Sequence, residues 1–129
     1  MEKKNYTILL AEDEEASRFL YYEELSEEGY RVLTAANGLQ VLGFLEDDKV
    51  DLLLTDIKMP DMHAMEMIPI VRQDFPDLPI LVASAFKGME DDFALQGFNI
   101  SGFYTKPVDI SLMKKRIEEI LSSRVPVAA

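Results

Sequence analysis

Val50-Asp51-Leu52-Leu53-Leu54-Thr55-Asp56-Ile57-Lys58-Met59-Pro60 runs an almost purely aliphatic segment into a single acidic side chain and then a proline turn. A short apolar run bounded by polar and proline signals, in a chain that alternates such runs with helical spacing, is the pattern of a central strand in a parallel sheet covered on both faces. In sheets of that kind ligands collect beyond the carboxyl ends of the strands, so Asp56 stands where chemistry is expected.

Working outward, four more apolar runs read as strands. Tyr6 to Ala11, with Ile8, Leu9 and Leu10, ends in Glu12-Asp13-Glu14-Glu15, and Val32 to Ala35 makes a second strand. Beyond Asp56, Leu78-Pro79 leads into a fourth from Ile80 to Ser84, and Ser101 to Thr105, containing Phe103 and Tyr104, stops at Lys106-Pro107. Between them the spacing turns helical. The first helix is expected from about Glu14 to Glu28, with Ala16, Phe19 and Leu20 inward, Leu25 a further candidate, and Glu23, Glu24, Glu27 and Glu28 solvated. Gly29 is placed to end it. Asn37, with Gln40 three residues on, resembles a capping box for a helix carrying Leu39, Val41, Leu42 and Leu45. Asp61 to about Phe75 is helical in pattern but contains Pro69, which lacks an N–H and crowds the carbonyl of Met65, so this helix is expected to be kinked or to start late. A short helix near Met89 to Gln96, ended by Gly97, is followed by a last one capped by Asp109, with Ile110, Met113, Ile117, Ile120 and Leu121 at helical spacing to about Ser123. Arg124 to Ala129 is expected to fray. Strands alternating with helices give an α/β fold: a doubly wound, open parallel sheet of five strands with five helices, in one domain spanning 1–129 with its core from about 6 to 123.

The 129 residues, 48% of them hydrophobic, suffice for a core without metal or disulfide staples. The absence of cysteine excludes a thiol nucleophile, a zinc-thiolate site and a disulfide framework. No run of about 18 apolar residues occurs, so no membrane span is expected. Met1 to Asn5 leads straight into a strand pattern rather than a secretory signal, and a cytoplasmic location follows as the expectation. A net charge of −11 argues against nucleic acid as a direct partner, since phosphate contacts need clustered Lys and Arg.

Four of the five strands end in a reactive group: Glu12 and Asp13 after the first, Asp56 after the third, Ser84 after the fourth and Lys106 after the fifth. In a wound sheet all of these ends lie on one edge. Carboxylates about 4 Å apart at an effective dielectric near 20 repel by roughly 4 kcal/mol per pair, so Glu12, Asp13 and Asp56 need a cation to share a pocket. A few hard oxygen ligands with room for water suit Mg²⁺, an ion that characteristically brings a phosphate group. Asp56 is then a candidate carboxylate nucleophile for a phosphoryl group, with Mg²⁺, the Lys106 ammonium and the Ser84 hydroxyl available to the three equatorial oxygens.

Taken together, Glu12-Asp13, Asp56-Ile57-Lys58-Met59-Pro60, Ser84, and Lys106-Pro107 after an aromatic at Phe103 resemble in order and spacing the receiver domain of two-component response regulators, of the chemotaxis-receiver kind. The resemblance spans Tyr6 to Ser123. It implies the flavodoxin-like strand order 2-1-3-4-5, Asp56 as phosphoacceptor, and Mg²⁺ held by Asp13 and Asp56 directly, by Glu12 through water and by the Lys58 backbone carbonyl. It also implies a cis Lys106-Pro107 peptide, a phosphohistidine donor on a sensor histidine kinase or histidine phosphotransfer protein, and no enzymatic activity beyond phosphorylation and dephosphorylation of the chain itself. A phosphoryl group adds about −1.5 to −2 charge, which Ser84 and Lys106 would move to meet, leaving space for Phe103 to turn. The face made by the fourth helix, fifth strand and fifth helix would change shape for a downstream partner. Moving such a switch from 1:99 to 99:1 takes about 5.5 kcal/mol, so a bound partner is expected to contribute. A phosphorylation-dependent homodimer is left open.

The chain departs from that family where it commonly has Asp-Gly: His63 and Ala64 stand there, which with Pro69 points to a reshaped loop before the third helix. His63, the only histidine, reads as an exposed loop residue, and Met59, Met62, Met65 and Met67 as packing beneath the loop. Phe86 is a candidate shield for the phosphoryl group. The alternative function is a receiver-like interaction adaptor that never gains phosphate, against which the intact set Asp13, Asp56, Ser84 and Lys106 weighs. A haloacid-dehalogenase-like phosphatase would want an aspartate where Lys58 stands, and flavin-nucleotide binding would want a phosphate cradle where the first loop is acidic. No DNA-binding or enzymatic output is expected within these residues.

Overall fold

In the computed structural model, which describes residues 1–85 and 97–128, a 3-10 turn at Lys3–Asn5 precedes β1 (Thr7–Ala11), α1 (Glu15–Glu27), β2 (Arg31–Ala35), α2 (Gly38–Asp47) and β3 (Leu52–Asp56). These are followed by α3 (Ala64–Asp74), β4 (Ile80–Ser84), β5 (Gly102–Thr105) and α4 (Ile110–Ser122). The five strands form one parallel sheet in the order β2-β1-β3-β4-β5, the doubly wound flavodoxin-like arrangement. The described residues hold four α-helices against the expected five. The remaining one, placed near Met89 to Gln96, lies outside the described residues, so α4 here is the fifth helix of the sequence pattern.

Strand periodicity divides the core into two layers. Leu9, Ala11, Leu53, Ile80 and Val82 face one side and pack with Val41 and Leu45 of α2 and Met67, Ile68 and Val71 of α3. Their neighbours Ile8, Leu10, Leu52, Leu54 and Leu81 face the other and pack with Tyr21 and Leu25 of α1 and Met113, Ile117 and Leu121 of α4. Both faces being covered explains why β1, β3 and β4 read as continuous aliphatic runs. Met59 and Met67 are buried, and Met62 and Met65 pack against the same first layer, as gap-fillers beneath the loop.

The local capping signals act as expected. Asn37 Oδ1 accepts from Gln40 N at 2.8 Å while Gln40 Oε1 accepts from Ala36 N at 2.7 Å, and Asp109 Oδ1 accepts from Leu112 N at 3.1 Å. Gly29, at φ +108°, ends α1 in the left-handed region that a Cβ disfavours. The third helix starts late, at Ala64, and includes Pro69; the positive φ in the loop before it falls on Asp61 (+66°), so Ala64 carries its Cβ without strain.

Three expectations are corrected. The inward face of α1 is Tyr21 and Leu25; Ala16, Phe19 and Leu20 are exposed, Phe19 by 63%. Phe19-Leu20-Tyr21-Tyr22 offers an apolar residue on every side of the helix, and contacts from elsewhere choose among them. The Arg18 guanidinium donates to the carbonyls of Glu12 and Asp13, and Lys114 of α4 bonds Glu24 at 2.6 Å. Consequently Glu24 and Glu28 are half-buried rather than solvated, Glu28 pairing with Lys3 at 3.2 Å. Finally, the tail does not fray before Val127: Tyr6 donates its hydroxyl to the Arg124 carbonyl, Arg124 donates to the Asp77 carbonyl at 2.8 Å, and Val127 N donates to buried Asp51 at 2.7 Å.

Candidate functional site

The alternation that buries Ile8 and Leu10 on the α1–α4 face carries Glu12, the next residue of that parity, to the same side. Its amide still donates to Ala35 O at 3.0 Å, extending the β1–β2 ladder one residue past the strand. In β3 the parity Leu52, Leu54, Asp56 does the same, and the register Leu10↔Leu54 sets Glu12 beside Asp56. Lys106 follows Tyr104 by two residues, one past the end of β5, its amide donating to Ser84 O at 2.7 Å. Three side chains from three strand ends therefore meet.

Lys106 Nζ donates to Asp56 Oδ2 at 2.9 Å and to Glu12 Oε1 and Oε2 at 3.0 and 3.1 Å. Asp56 Oδ1 accepts from Ile57 N at 2.6 Å, which orients the carboxylate against its own backbone. Glu12, Asp13 and Asp56 each present an oxygen within 4.8 Å of the others. Glu12 is buried, Asp56 partly so and Asp13 exposed, leaving the group open on the Asp13 side. Burial, with the added repulsion of Asp56 and against the pull of Lys106, raises the Glu12 carboxyl from 4.5 to about 7. Burial disfavours the Lys106 ammonium, but its hydrogen bonds to Asp56 and Glu12 outweigh that and its pKa is raised. A buried acid held near neutrality beside two more acids and one cation is a site short of positive charge. All three donors are hard oxygens, with no nitrogen or sulfur, and this set fits Mg²⁺.

The remaining candidates lie around this group. Ser84 is wholly buried at the end of β4, one residue beyond the Ala83 opposite Asp56. Lys58 is exposed, two residues past Asp56. Phe103 stands opposite Val82 in β5 and packs partly buried against the α2–α3 layer. The Lys106-Pro107 peptide is cis. His63 is exposed at the N-cap position of α3 without a capping hydrogen bond. Phe86 lies outside the described residues.

Two features escaped sequence reading. Arg18, the one basic residue of α1, holds the Glu12-Asp13 turn through its carbonyls at 2.9 and 3.3 Å; a lone arginine five residues after an acid pair, on an otherwise acidic helix, was the available signal. The second is a set of contacts from Asn37 and Gly38 to the loop after Asp56, for which the sequence offered only the capping role of Asn37.

Residues 8–118 match the family described as response regulator receiver domain. The chain is 30% identical over 126 residues to the transcriptional regulatory protein GlrR of Escherichia coli K12, covering 98% of this chain but 28% of that protein. It is 26% identical over 117 residues to the sporulation initiation phosphotransferase F of Bacillus subtilis, covering 91% of this chain and 94% of that one. Among solved structures, response regulator TrrA of Thermotoga maritima, in complex with Mg(2+)-BeF, superposes with a TM-score of 0.83 at 28% identity, covering 90% of this chain and 99% of that one. No helix among the described residues is long and apolar enough to cross a membrane.

Proposed function

The chain belongs to the response regulator receiver domain family of two-component systems, and from that premise we propose that it is a phosphorylatable switch with Asp56 as its phosphoacceptor. The observation that carries this reading is the meeting of Asp56, Glu12 and Asp13 with the Lys106 ammonium at one sheet edge. Asp13, Asp56, Glu12 and the Lys58 carbonyl would hold Mg²⁺, which supplies positive charge against the oxygens of a transferring phosphoryl group.

A carboxylate oxygen of Asp56 attacks phosphorus, forming the O–P bond of an acyl phosphate as the N–P bond of a donor phosphohistidine breaks and its electron pair returns to the imidazole. Lys106, already bonded to Asp56, redirects an N–H of its ammonium to a phosphoryl oxygen, and Ser84 donates to another. The donor is a sensor histidine kinase or a histidine phosphotransfer protein. Added negative charge then draws Ser84 and Lys106 inward and lets Phe103 turn, altering a partner-binding face that includes β5 and α4. The chain's only catalysis is on itself, and it works in the cytoplasm, signalling to a downstream protein or output domain.

Acetyl phosphate with Mg²⁺ tests this. The intact mass should rise by one phosphoryl group, Asp56→Asn should abolish the gain, and beryllofluoride with Mg²⁺ should shift Phe and Tyr resonances. No gain and no shift in the unaltered protein would leave the adaptor function instead.

A further inference from the structure

We propose that the N-terminus of α2 is a buttress that positions the loop after Asp56, so that Asn37 and Gly38 act through that loop as positioning residues for the metal site. The inference rests on the assignment of the Lys58 carbonyl as a Mg²⁺ ligand made above.

Residues 57–63 bridge β3 and α3, and Lys58, Pro60, Asp61 and His63 among them are exposed. The loop has its own anchors at the base: Ile57 and Met59 are buried, and Ala64 N donates to Ile57 O at 3.1 Å. Its far side is held from outside. Gly38 N donates to Met62 O at 3.2 Å, and Asn37 Nδ2 donates to Asp61 Oδ2 at 3.2 Å. Asp61 takes φ +66° and Met62 N returns to Pro60 O at 2.7 Å, a tight reversal that the α2 contacts flank.

Gly38 is required by contact rather than by dihedral. A Cβ there would lie 2.6 Å from Met62 O and 3.0 Å from Met62 Cβ and Cγ. The first of these is a backbone atom, so relief means moving the loop itself. Asn37 is similarly committed, because its Oδ1 caps α2 and so fixes the amide whose Nδ2 reaches Asp61. The helix behind them is seated by buried Val41 and Leu45, which makes it a firm support. Since Lys58 lies four residues before Met62 in this short loop, a displacement at Met62 is transmitted toward the carbonyl at Lys58.

Gly43 supplies the control. It lies in the same helix, and an added Cβ there meets nothing within 4 Å. Mg²⁺ affinity is measured calorimetrically on the folded whole chain for Gly38→Ala, Asn37→Ser and Gly43→Ala, with circular dichroism confirming the fold. Serine keeps the helix cap through its hydroxyl oxygen but lacks the Nδ2 amide, one atom farther out, that reaches Asp61. Gly38→Ala should weaken Mg²⁺ binding by about tenfold, the low end of what altering an outer-shell partner of a metal site costs, and Asn37→Ser by about threefold, less because only one exposed hydrogen bond is lost, while Gly43→Ala leaves it unchanged. The amide resonances of Lys58 and Met59 should shift in the first two variants only. Should Gly38→Ala fail to fold, Asn37→Ser decides. Wild-type affinity and unshifted Lys58 and Met59 resonances in the folded variants overturn the buttress alone, whereas an unaltered chain that binds no Mg²⁺ overturns the site assignment and the buttress with it.

Discussion

The Lys106 ammonium reaches both carboxylate oxygens of Glu12, at 3.0 and 3.1 Å, across a sequence separation of 94 residues, while also bonding Asp56. One cation thus compensates two acids, one of them buried, and no other ammonium or guanidinium is bonded to either carboxylate among the described residues. The consequences are measurable in the metal-free chain.

Removing the cation by Lys106→Met should destabilise the fold by about 3 kcal/mol near pH 8, at the low end for breaking a buried pair because Glu12 escapes by taking up a proton. For the same reason the loss should shrink toward about pH 5. Urea unfolding at both pH values checks this, and an equal loss at each would mean that Glu12 gains nothing from protonation.

Glu12 should make stability pH-dependent. Its folded pKa of about 7 lies above 4.5, so the folded chain holds the proton more tightly than the unfolded one. The contribution is complete below about pH 4.5 and is lost as pH rises through about 7, amounting to roughly 3 kcal/mol. The difference between the wild-type and Glu12→Gln unfolding curves isolates it, and saturating Mg²⁺ should reduce it, because the ion binds the ionised form.

Asp51 should prove a structural clip. Its buried carboxylate accepts from Thr7 N and Val127 N, each at 2.7 Å, joining the start of β1 to the tail. Asp51→Ala should cost about 3–6 kcal/mol, the scale of two hydrogen bonds to a charged group. Amide exchange at Thr7 and Val127 should accelerate; an unprotected Val127 in the wild type would contradict the docked tail.

The rotation of α1 can be read from a pair of substitutions. Phe19→Ser should stay within about 0.5 kcal/mol of wild type, as surface changes do. Leu25→Ala, at 2% exposure, should cost roughly 2–4 kcal/mol. Comparable losses from both would return Phe19 to the core.

What could be read from the residues in order is what depends on neighbours in the chain. The aliphatic runs ending at Glu12, Asp56 and Ser84 specify parallel strands, and the winding of such a sheet puts their reactive ends on one shared edge. Asn37 and Asp109 were recognisable as caps because a cap acts within three residues.

The rotation of α1, the docking of the tail on Asp51 and the contact of Gly38 with Met62 were decided only in three dimensions. So was the role of Arg72, whose guanidinium donates to the carbonyls of Phe75 and Leu78 beside its own helix and of Phe98 beyond β4. The contacts of Val127 with Asp51, of Gly38 with Met62 and of Arg72 with Phe98 each join groups far apart in sequence through a backbone atom at one partner or both. Residue identity therefore leaves no mark at one partner, and only packing the sheet between its two helical layers selects which pairs meet.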